Sequence, residues 1–300
     1  MTDSAAFSRL QAAFGHAKRA RPPFVLAEVA RRMLERLDYI SVPVASLVIV
    51  GAGYGEARAA LAQRYPTAAI IEVAVSPALV AARRAAAQPR GLKKLLSAFS
   101  ATPAEPLTAH IAPPNALPLA DESVDLVFVN LATLVDAQLA TALTEWQRVL
   151  RPGGFVLFTA LGPDTGKQLV RAFAARGTQA DTRALVDMHD WGDALLESGF
   201  SDPVMDMEVL TLAYATADNC LREAGQLLPT RPSRDGLRGR ACLQPVRLEL
   251  EAQRQGEAIA LTLELIYGHA FKVQRRLAKG GTRFALADLK ATLPSQQVQN

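Results

Sequence analysis

Short apolar runs and amphipathic stretches alternate along the first half of the chain. Residues 24–38 carry apolar side chains at helical spacing, and Ser41 and Pro43 end that pattern. The apolar run 46–50 leads into a cluster of glycines, after which helical spacing resumes over 56–65. This order predicts a strand, a glycine turn and a helix.

The same alternation continues toward the middle of the chain. Apolar runs at 68–75, 122–131 and 154–161 predict further buried strands, and the spacing over 140–150 predicts an amphipathic helix. Strands separated by helices pair in parallel through right-handed crossovers. We therefore predict an α/β fold with a doubly wound, mostly parallel sheet.

The second half of the chain has a different pattern. Residues 188–200 predict a helix that Gly199 ends, and residues 203–214 alternate like an exposed strand. Residues 229–240 are rich in proline, glycine and arginine, which is typical of a polar loop. The run 260–271 is the last clear strand.

Composition narrows the class of protein. Half of the residues are hydrophobic and 21% are charged, which is typical of a globular domain and not of a disordered chain. No apolar run approaches the ~20 residues of a membrane span, so we expect a soluble protein that does not enter membranes. The 33 basic and 29 acidic residues leave a charge of only +4. This excess is too small and too dispersed to indicate a nucleic-acid partner.

The two cysteines, Cys220 and Cys242, lie in no CxxC or Cys/His cluster, so we expect neither a disulfide nor a metal site. The N-terminal residues, with Asp3 early and no continuous apolar segment, do not resemble a secretory signal. A cytoplasmic protein is therefore expected.

The glycine turn is the first candidate for chemistry. Gly51, Gly53 and Gly55 follow the first predicted strand in a GxGxG pattern. Ligands of open α/β sheets bind beyond the carboxyl ends of the strands, and glycines there let the backbone approach a nucleotide-like ligand closely. The alternative is a tight turn that only serves packing. No GKS or GKT follows, which excludes a phosphate-binding P-loop.

Several longer segments resemble one enzyme family. They are SLVIVGAGYG (46–55), VSPALVAARR (75–84), NALPLADESVDLVFVNLA (115–132) and RVLRPGGFVLFTALGPDT (148–165). Their order is similar to that of class I S-adenosylmethionine (SAM) methyltransferases. More narrowly, the chain resembles the malonyl-acyl-carrier-protein O-methyltransferases of biotin synthesis. The narrower resemblance lies in AFSR (6–9), LERLDYI (34–40), GPDT (162–165), the block 188–212 and YGHAF (267–271).

The resemblance implies one domain over 1–300 with a Rossmann-like, seven-stranded sheet. Residues 1–43 would form a helical N-terminal lid and residues 44–165 a SAM-binding core. Residues 166–273 would form a C-terminal half with the inserted polar loop, and residues 274–300 a tail. The implied activity is methyl transfer from SAM to the free carboxylate of malonyl-acyl-carrier protein. That carboxylate is ionised at neutral pH, so the reaction needs neither a metal nor a general base.

The resemblance also implies where ligands bind, although it identifies no catalytic residue. The cofactor would lie against Gly51, Gly53, Gly55, Leu117 and Asn130. Leu117 is equally compatible with a plain core position. Candidates for substrate contact are Arg9, Lys18, Asp164, Thr165 and His269.

Each substrate candidate has a structural alternative. Asp164 or Thr165 is also a suitable N-cap for the helix that follows. His269, within a strand pattern, is also typical of a hydrogen-bonded structural residue. Arg9 and Lys18 would either steer an acidic carrier protein or lie on a solvated helix face.

The chain departs from the family at polar positions around the cofactor. Ile49, Ala74 and Pro113 stand where the family has acidic residues, and Phe14-Gly15 replaces a Tyr-Asp pair. Loss of the carboxylate that binds the ribose hydroxyls would alone weaken SAM binding about ten- to a hundredfold. The alternative function is therefore an inactive pseudoenzyme that binds a carrier protein or assists assembly.

Overall fold

The computed structural model describes residues 24–51, 56–74, 109–131, 136–175, 185–227 and 243–274. The strands are β1 (Ser46–Gly51), β2 (Ala69–Ala74), β3 (Ala109–Ile111), β4 (Val124–Asn130), β5 (Leu150–Leu161), β6 (Phe200–Tyr214) and β7 (Ile259–Lys272). The helices are α1 (Phe24–Arg36), α2 (Glu56–Arg64), α3 (Asp136–Val149), α4 (Lys167–Ala174), α5 (Met188–Glu197), α6 (Ala217–Leu227) and α7 (Gln244–Ala252), and a 3-10 turn (Leu37–Tyr39) follows α1.

The seven strands within the described residues form one sheet in the order β3-β2-β1-β4-β5-β7-β6. Strands β1 to β5 pair in parallel, and β7 runs antiparallel between β5 and β6. The predicted doubly wound, mostly parallel sheet is confirmed. The short β3 carries too few residues for a period to show in the sequence.

The sheet has an apolar core on each face. Helices α1, α2, α4, α6 and α7 pack on one face, where Leu47, Phe128 and Leu157 point. Helices α3 and α5 cover the other face, where Val48, Val127 and Val156 point. Neighbouring residues of a strand alternate between the two cores, which is why these strands read as continuous apolar runs.

The start of β5 differs from the prediction of a strand over 154–161. The strand begins at Leu150, which pairs with Val124, and the register then shifts before Leu126 pairs with Phe155. Gly153, with a φ of +84°, lies in this irregular part. An extra stretch of chain is thus accommodated within the strand and not in a preceding turn.

Helix α1 is tied by charged groups to the antiparallel end of the sheet. Arg32 pairs with Glu208 and Arg36 with Asp206, both on β6. The Arg36 guanidinium also lies 3.6 Å from the ring centroid of Tyr267 on β7. The predicted exposed strand is therefore confirmed as an edge strand, and its acidic side chains serve to hold α1.

Packing within the sheet requires the glycine of the YGHAF segment, Gly268. A Cβ atom on Gly268 would lie 2.5 Å from Phe158 Cε1 and 2.9 Å from Met205 Sδ. The Phe158 ring also contacts Trp191, with 4.6 Å between ring centroids. Glycine at 268 is therefore needed for this aromatic cluster under α5.

Other expectations fall outside the described residues. These are the segment 1–23, the segment VSPALVAARR (75–84), the polar loop 229–240 and the tail beyond 274. The division of the chain into parts stays a prediction. Among the described helices, none combines the length and the apolar character that crossing a bilayer requires.

Two glycine substitutions test this packing. Gly268→Ala should lower the free energy of unfolding by about 1–3 kcal/mol, because the new methyl overlaps Phe158. Gly192→Ala in α5 is the matched control, since its Cβ would lie an ordinary 3.7 Å from Met205 Cγ. It should stabilise the helix by about 0.5–1 kcal/mol. Denaturant unfolding measures both, and equal effects would contradict the assigned packing.

Candidate functional site

The order of the strands reverses between β1 and β4. The chain runs from β1 to β2 on one side and from β4 to β5 on the other, so the connections that follow these two neighbouring strands lead in opposite directions. Such a switch point leaves a crevice at the carboxyl edge, and ligands of open α/β sheets bind there. Gly51 and Asn130, the last residues of β1 and β4, pair across it.

Gly51 brings the two strand ends together. Its φ of +115° is a conformation that side-chain-bearing residues rarely adopt, and a Cβ there would lie 2.6 Å from the Asn130 carbonyl oxygen. The Asn130 carbonyl therefore occupies the place that the Cβ of any other residue would need, and glycine lets the ends of β1 and β4 approach this closely. Gly53 and Gly55 lie outside the described residues.

A buried polar network lies beside this pair. Asn130 Nδ2 donates to the Leu26 carbonyl of α1 at 3.1 Å, while Asn130 Oδ1 lies 3.4 Å from the Thr159 hydroxyl. Thr159 Oγ1 accepts the Leu131 N–H at 2.9 Å and lies 3.6 Å from Met33 Sδ. Asn130, predicted to line the cofactor pocket, thus also anchors α1 over the switch point.

Thr159 was not among the residues that the sequence predicted for this site. It lies in β5 and is 1% exposed. Its only signal in the sequence is a hydroxyl within the apolar run GFVLFTAL, and threonine is also an ordinary strand former.

Leu117 lies in the core against the C-terminal part of α3. Its side chain is buried in the cluster under α3, which agrees with the alternative of a packing position. Its N–H donates to Glu145 Oε1 at 2.6 Å, and its carbonyl accepts from Arg148. These bonds fix the backbone leading into β4.

The positions that lack the family's acids are apolar in their surroundings. Ile49 is buried in the core between α1 and the sheet, and Ala74 ends β2 with 7% exposure. Glu72, two residues before Ala74, is buried with Arg58 Nε 3.9 Å from its carboxylate. Pro113 takes part in a turn in which the Ala116 N–H donates to its carbonyl. None of these three positions supplies a carboxylate to the crevice.

The GPDT segment forms a turn around Glu264 of β7. Thr165 Oγ1 donates to the Glu264 carbonyl at 3.1 Å and accepts the Glu264 N–H at 3.0 Å. The Asp164 N–H donates to Glu264 Oε2 at 2.6 Å. A Cβ on Gly162 would lie 2.7 Å from Glu264 Oε1. Glycine at 162 therefore leaves room for the buried carboxylate that holds the turn.

The N-cap alternative for Asp164 and Thr165 is wrong. The residue at the N-cap of α4 is Gly166, with a φ of 72°, and no side chain caps the helix. The Thr165 hydroxyl is already engaged by the β7 backbone, while the Asp164 carboxylate pairs with Lys167 at 2.9 Å. Thr165 is fully buried and Asp164 is exposed, so only the latter is open to solvent.

Known proteins share these features. A family described as a methyltransferase domain matches residues 48–158, from β1 to β5. The malonyl-acyl-carrier-protein O-methyltransferase of Methylovorus sp. is 37% identical over 84% of this chain and 83% of its own. That of Gallionella capsiferriformans is 34% identical, with coverages of 88% and 89%. The chain belongs to the malonyl-acyl-carrier-protein O-methyltransferase family.

A solved structure supports the fold. The YcgJ protein of Bacillus subtilis superimposes with a TM-score of 0.53, at 15% identity, over 81% of this chain and 99% of its own. The resemblance predicted from the motifs, in family and in fold, is confirmed.

Among the remaining substrate candidates of this family member, the structure describes only His269, which lies away from the carboxyl edge of the sheet. His269 pairs with Leu157 in the middle of β5, four pairs before the Leu161↔Leu265 pair at the carboxyl end. Its ring meets Phe271 edge-on at 5.8 Å, and burial lowers the pKa of His269 below its ordinary value. Arg9 and Lys18 lie outside the described residues.

The methyltransferase also has an open cleft between α3 and α5. It measures about 500 Å³, and its lining includes Leu139, Val186, Asp190, Asp193 and Glu197. Three carboxylates give this surface a negative character. An acidic partner would be repelled here.

A double-mutant cycle tests the role of Glu264 in this methyltransferase. Gly162→Ala should lower the free energy of unfolding by about 2 kcal/mol through overlap with the Glu264 carboxylate. Glu264→Ala should cost about 2 kcal/mol, because the Asp164 N–H loses its acceptor. The double variant should lose at least about 1 kcal/mol less than the sum of the two single losses. Without the Glu264 carboxylate, the methyl group at position 162 has nothing to overlap. Strict additivity in denaturant unfolding would contradict the contact.

Proposed function

We propose that this chain is a SAM-dependent O-methyltransferase that converts the free carboxylate of malonyl-acyl-carrier protein to its methyl ester, an early step of biotin synthesis in the cytoplasm. The observation that carries the proposal is the identity to relatives of that name at 30–37% over at least 79% of each chain. The crevice at the switch point supports it independently.

Gly51 and Asn130 are the residues that we expect to hold the cofactor. The glycine supplies backbone without a side chain, and the amide fixes α1 over the crevice. Gly53, Gly55 and Leu117 stay proposed members of this pocket. SAM, when bound, supplies the methyl group from its sulfonium.

The protein's part in the reaction is alignment and exclusion of water. The malonyl carboxylate needs no deprotonation at neutral pH, so the acceptor oxygen is ready as it enters. Alignment lowers the barrier by fixing the two reacting atoms, and removing water from the carboxylate raises its reactivity. A catalytic triad is not required for this chemistry.

We propose that the carrier protein approaches over the N-terminal segment with Arg9 and Lys18. Carrier proteins are acidic, and basic residues would steer one at low cost. The carboxylates along the α3–α5 cleft disfavour docking there. Asp164 lies exposed after β5 and stays a candidate substrate contact, with Thr165 holding the turn that carries it. His269 also stays a candidate.

A methylation assay tests the function. Malonyl-loaded carrier protein incubated with SAM and this protein should gain the mass of one methylene in a base-labile form. Acetyl-loaded carrier protein is the matched control, because it lacks the free carboxylate, and it should gain nothing. Equal methylation of both, or of neither by protein that binds SAM, would contradict the proposal.

Cofactor affinity tests the missing ribose carboxylate. Ala74→Asp should tighten SAM binding about tenfold in calorimetry, since a charged acceptor returns at the end of β2. Ala69→Asp is the matched control, because it adds the same charge to the exposed amino end of β2. Equal affinities of the two variants would contradict the placement of Ala74 at the ribose.

The same titration separates the enzyme from the inactive alternative. The buried Ile49 and Ala74 are the observations that favour a pseudoenzyme. No binding up to millimolar SAM by wild-type protein shown to be folded would favour that alternative.

A further inference from the structure

The chain that leaves β3 passes the carboxyl end of β2. Ile111 of β3 pairs with Ala74 of β2, and the Ala112 N–H donates to the Ala74 carbonyl at 3.1 Å. In doubly wound folds, the residue that binds the ribose lies about 20 residues after the glycine turn. Ala74, the last residue of β2, has that place here. A ligand that starts at the glycine turn of β1 and has its ribose at β2 would extend its base toward residues 113–116, because β3 is the next strand.

Residues 113–116 form a turn with few backbone groups available to hold it. Pro113 and Pro114 have no backbone N–H, and the Ala116 N–H donates to the Pro113 carbonyl within the turn itself. In the part of the chain that the structure describes, one hydrogen bond reaches this turn from outside. Trp146 Nε1 of α3 donates to the Pro114 carbonyl at 3.0 Å. Both residues are buried, so water does not replace this bond.

Helix α3 also holds the rest of the connection between β3 and β4. Arg148 donates to the Leu119 carbonyl and to the Asp121 carboxylate, close to the residue at which β4 begins. These bonds lie toward the amino edge of the sheet, away from the crevice. Trp146 is therefore the α3 side chain that holds the connection where it is nearest to the proposed base.

We propose that Trp146 is a positioning residue for the base of SAM, acting through the Pro114 carbonyl. The inference rests on the proposed function, and it assigns Trp146 no contact with cofactor or substrate. Without the indole N–H, the buried carbonyl loses its donor, and conformations in which the turn has shifted become populated. Only the molecules with the turn in place bind the base, so the apparent affinity for SAM falls with their fraction.

The other tryptophan of the chain provides a matched control. The Trp191 ring stacks on that of Trp146 with 6.5 Å between ring centroids, and both side chains are fully buried. Within the described residues, Trp191 Nε1 has no hydrogen-bond partner. Substitution by phenylalanine therefore removes ring volume from the same aromatic cluster at either position, but Trp146→Phe also removes the bond to Pro114.

Calorimetric titration with SAM compares the two variants. Trp146→Phe should raise the dissociation constant about tenfold, since the turn loses its hydrogen bond to α3. Trp191→Phe should stay within about threefold of wild type, although both variants should unfold at a lower temperature. In the methylation assay, Trp146→Phe should raise the KM for SAM and leave kcat nearly unchanged, because the indole contacts neither reacting group.

Hydrogen exchange in wild-type protein tests the same bond without a substitution at Trp146. If the bond favours the bound cofactor, the bound cofactor favours the bond equally, because linkage is reciprocal. S-adenosylhomocysteine should therefore slow the exchange of the Trp146 indole N–H with water, measured by nuclear magnetic resonance. The slowing should be larger at Trp146 than at Trp191, since stabilisation of the whole fold acts on both. The chain has two tryptophans, so the spectrum of Trp191→Phe assigns their signals.

The outcomes separate this inference from the proposed function. Wild-type protein that binds no SAM would overturn the proposed function and this inference with it. Where wild-type protein binds SAM, an unchanged affinity in Trp146→Phe would overturn this inference alone. So would equal losses of affinity in the two variants, or equal slowing of exchange at the two indoles.

Discussion

The close approach of β1 and β4 at their carboxyl ends is the constraint on which the site depends. Gly51 lies against the Asn130 carbonyl where a Cβ atom would have only 2.6 Å. The connection after β1 leads toward β2 and the connection after β4 leads toward β5, on the opposite side. The crevice is therefore a consequence of the order of the strands. Helix α1 is attached to this pair through the Asn130 amide.

Helix α1 is held at both ends by different forces. Near its start, the Asn130 amide binds the Leu26 carbonyl within a buried network. Near its end, Arg32 and Arg36 pair with carboxylates on β6 at the protein surface. The buried anchor is the stronger constraint, because water screens the surface pairs.

The sequence predicted much of the fold because buried parallel strands are continuous apolar runs. The sequence did not predict the hydrogen bonds whose two partners are far apart in the chain. Asp164 and Thr165 fit the rule for an N-cap, but Glu264, 99 residues beyond Thr165, competes for their hydrogen bonds. Thr159 stabilises Leu131 across a strand pair, and no local pattern marks a threonine that binds a backbone N–H in another strand. Gly51 was predicted from a local glycine pattern after a strand, although the contact that requires a glycine there is with the distant Asn130 carbonyl.

A crystal structure with S-adenosylhomocysteine bound tests the central claim that this crevice is the cofactor site. The account predicts ligand density at the carboxyl ends of β1 and β4, against the backbone of Gly51 and Asn130, with α1 in place above it. Ligand bound elsewhere on the protein, or at the crevice only after α1 is displaced, would contradict the account.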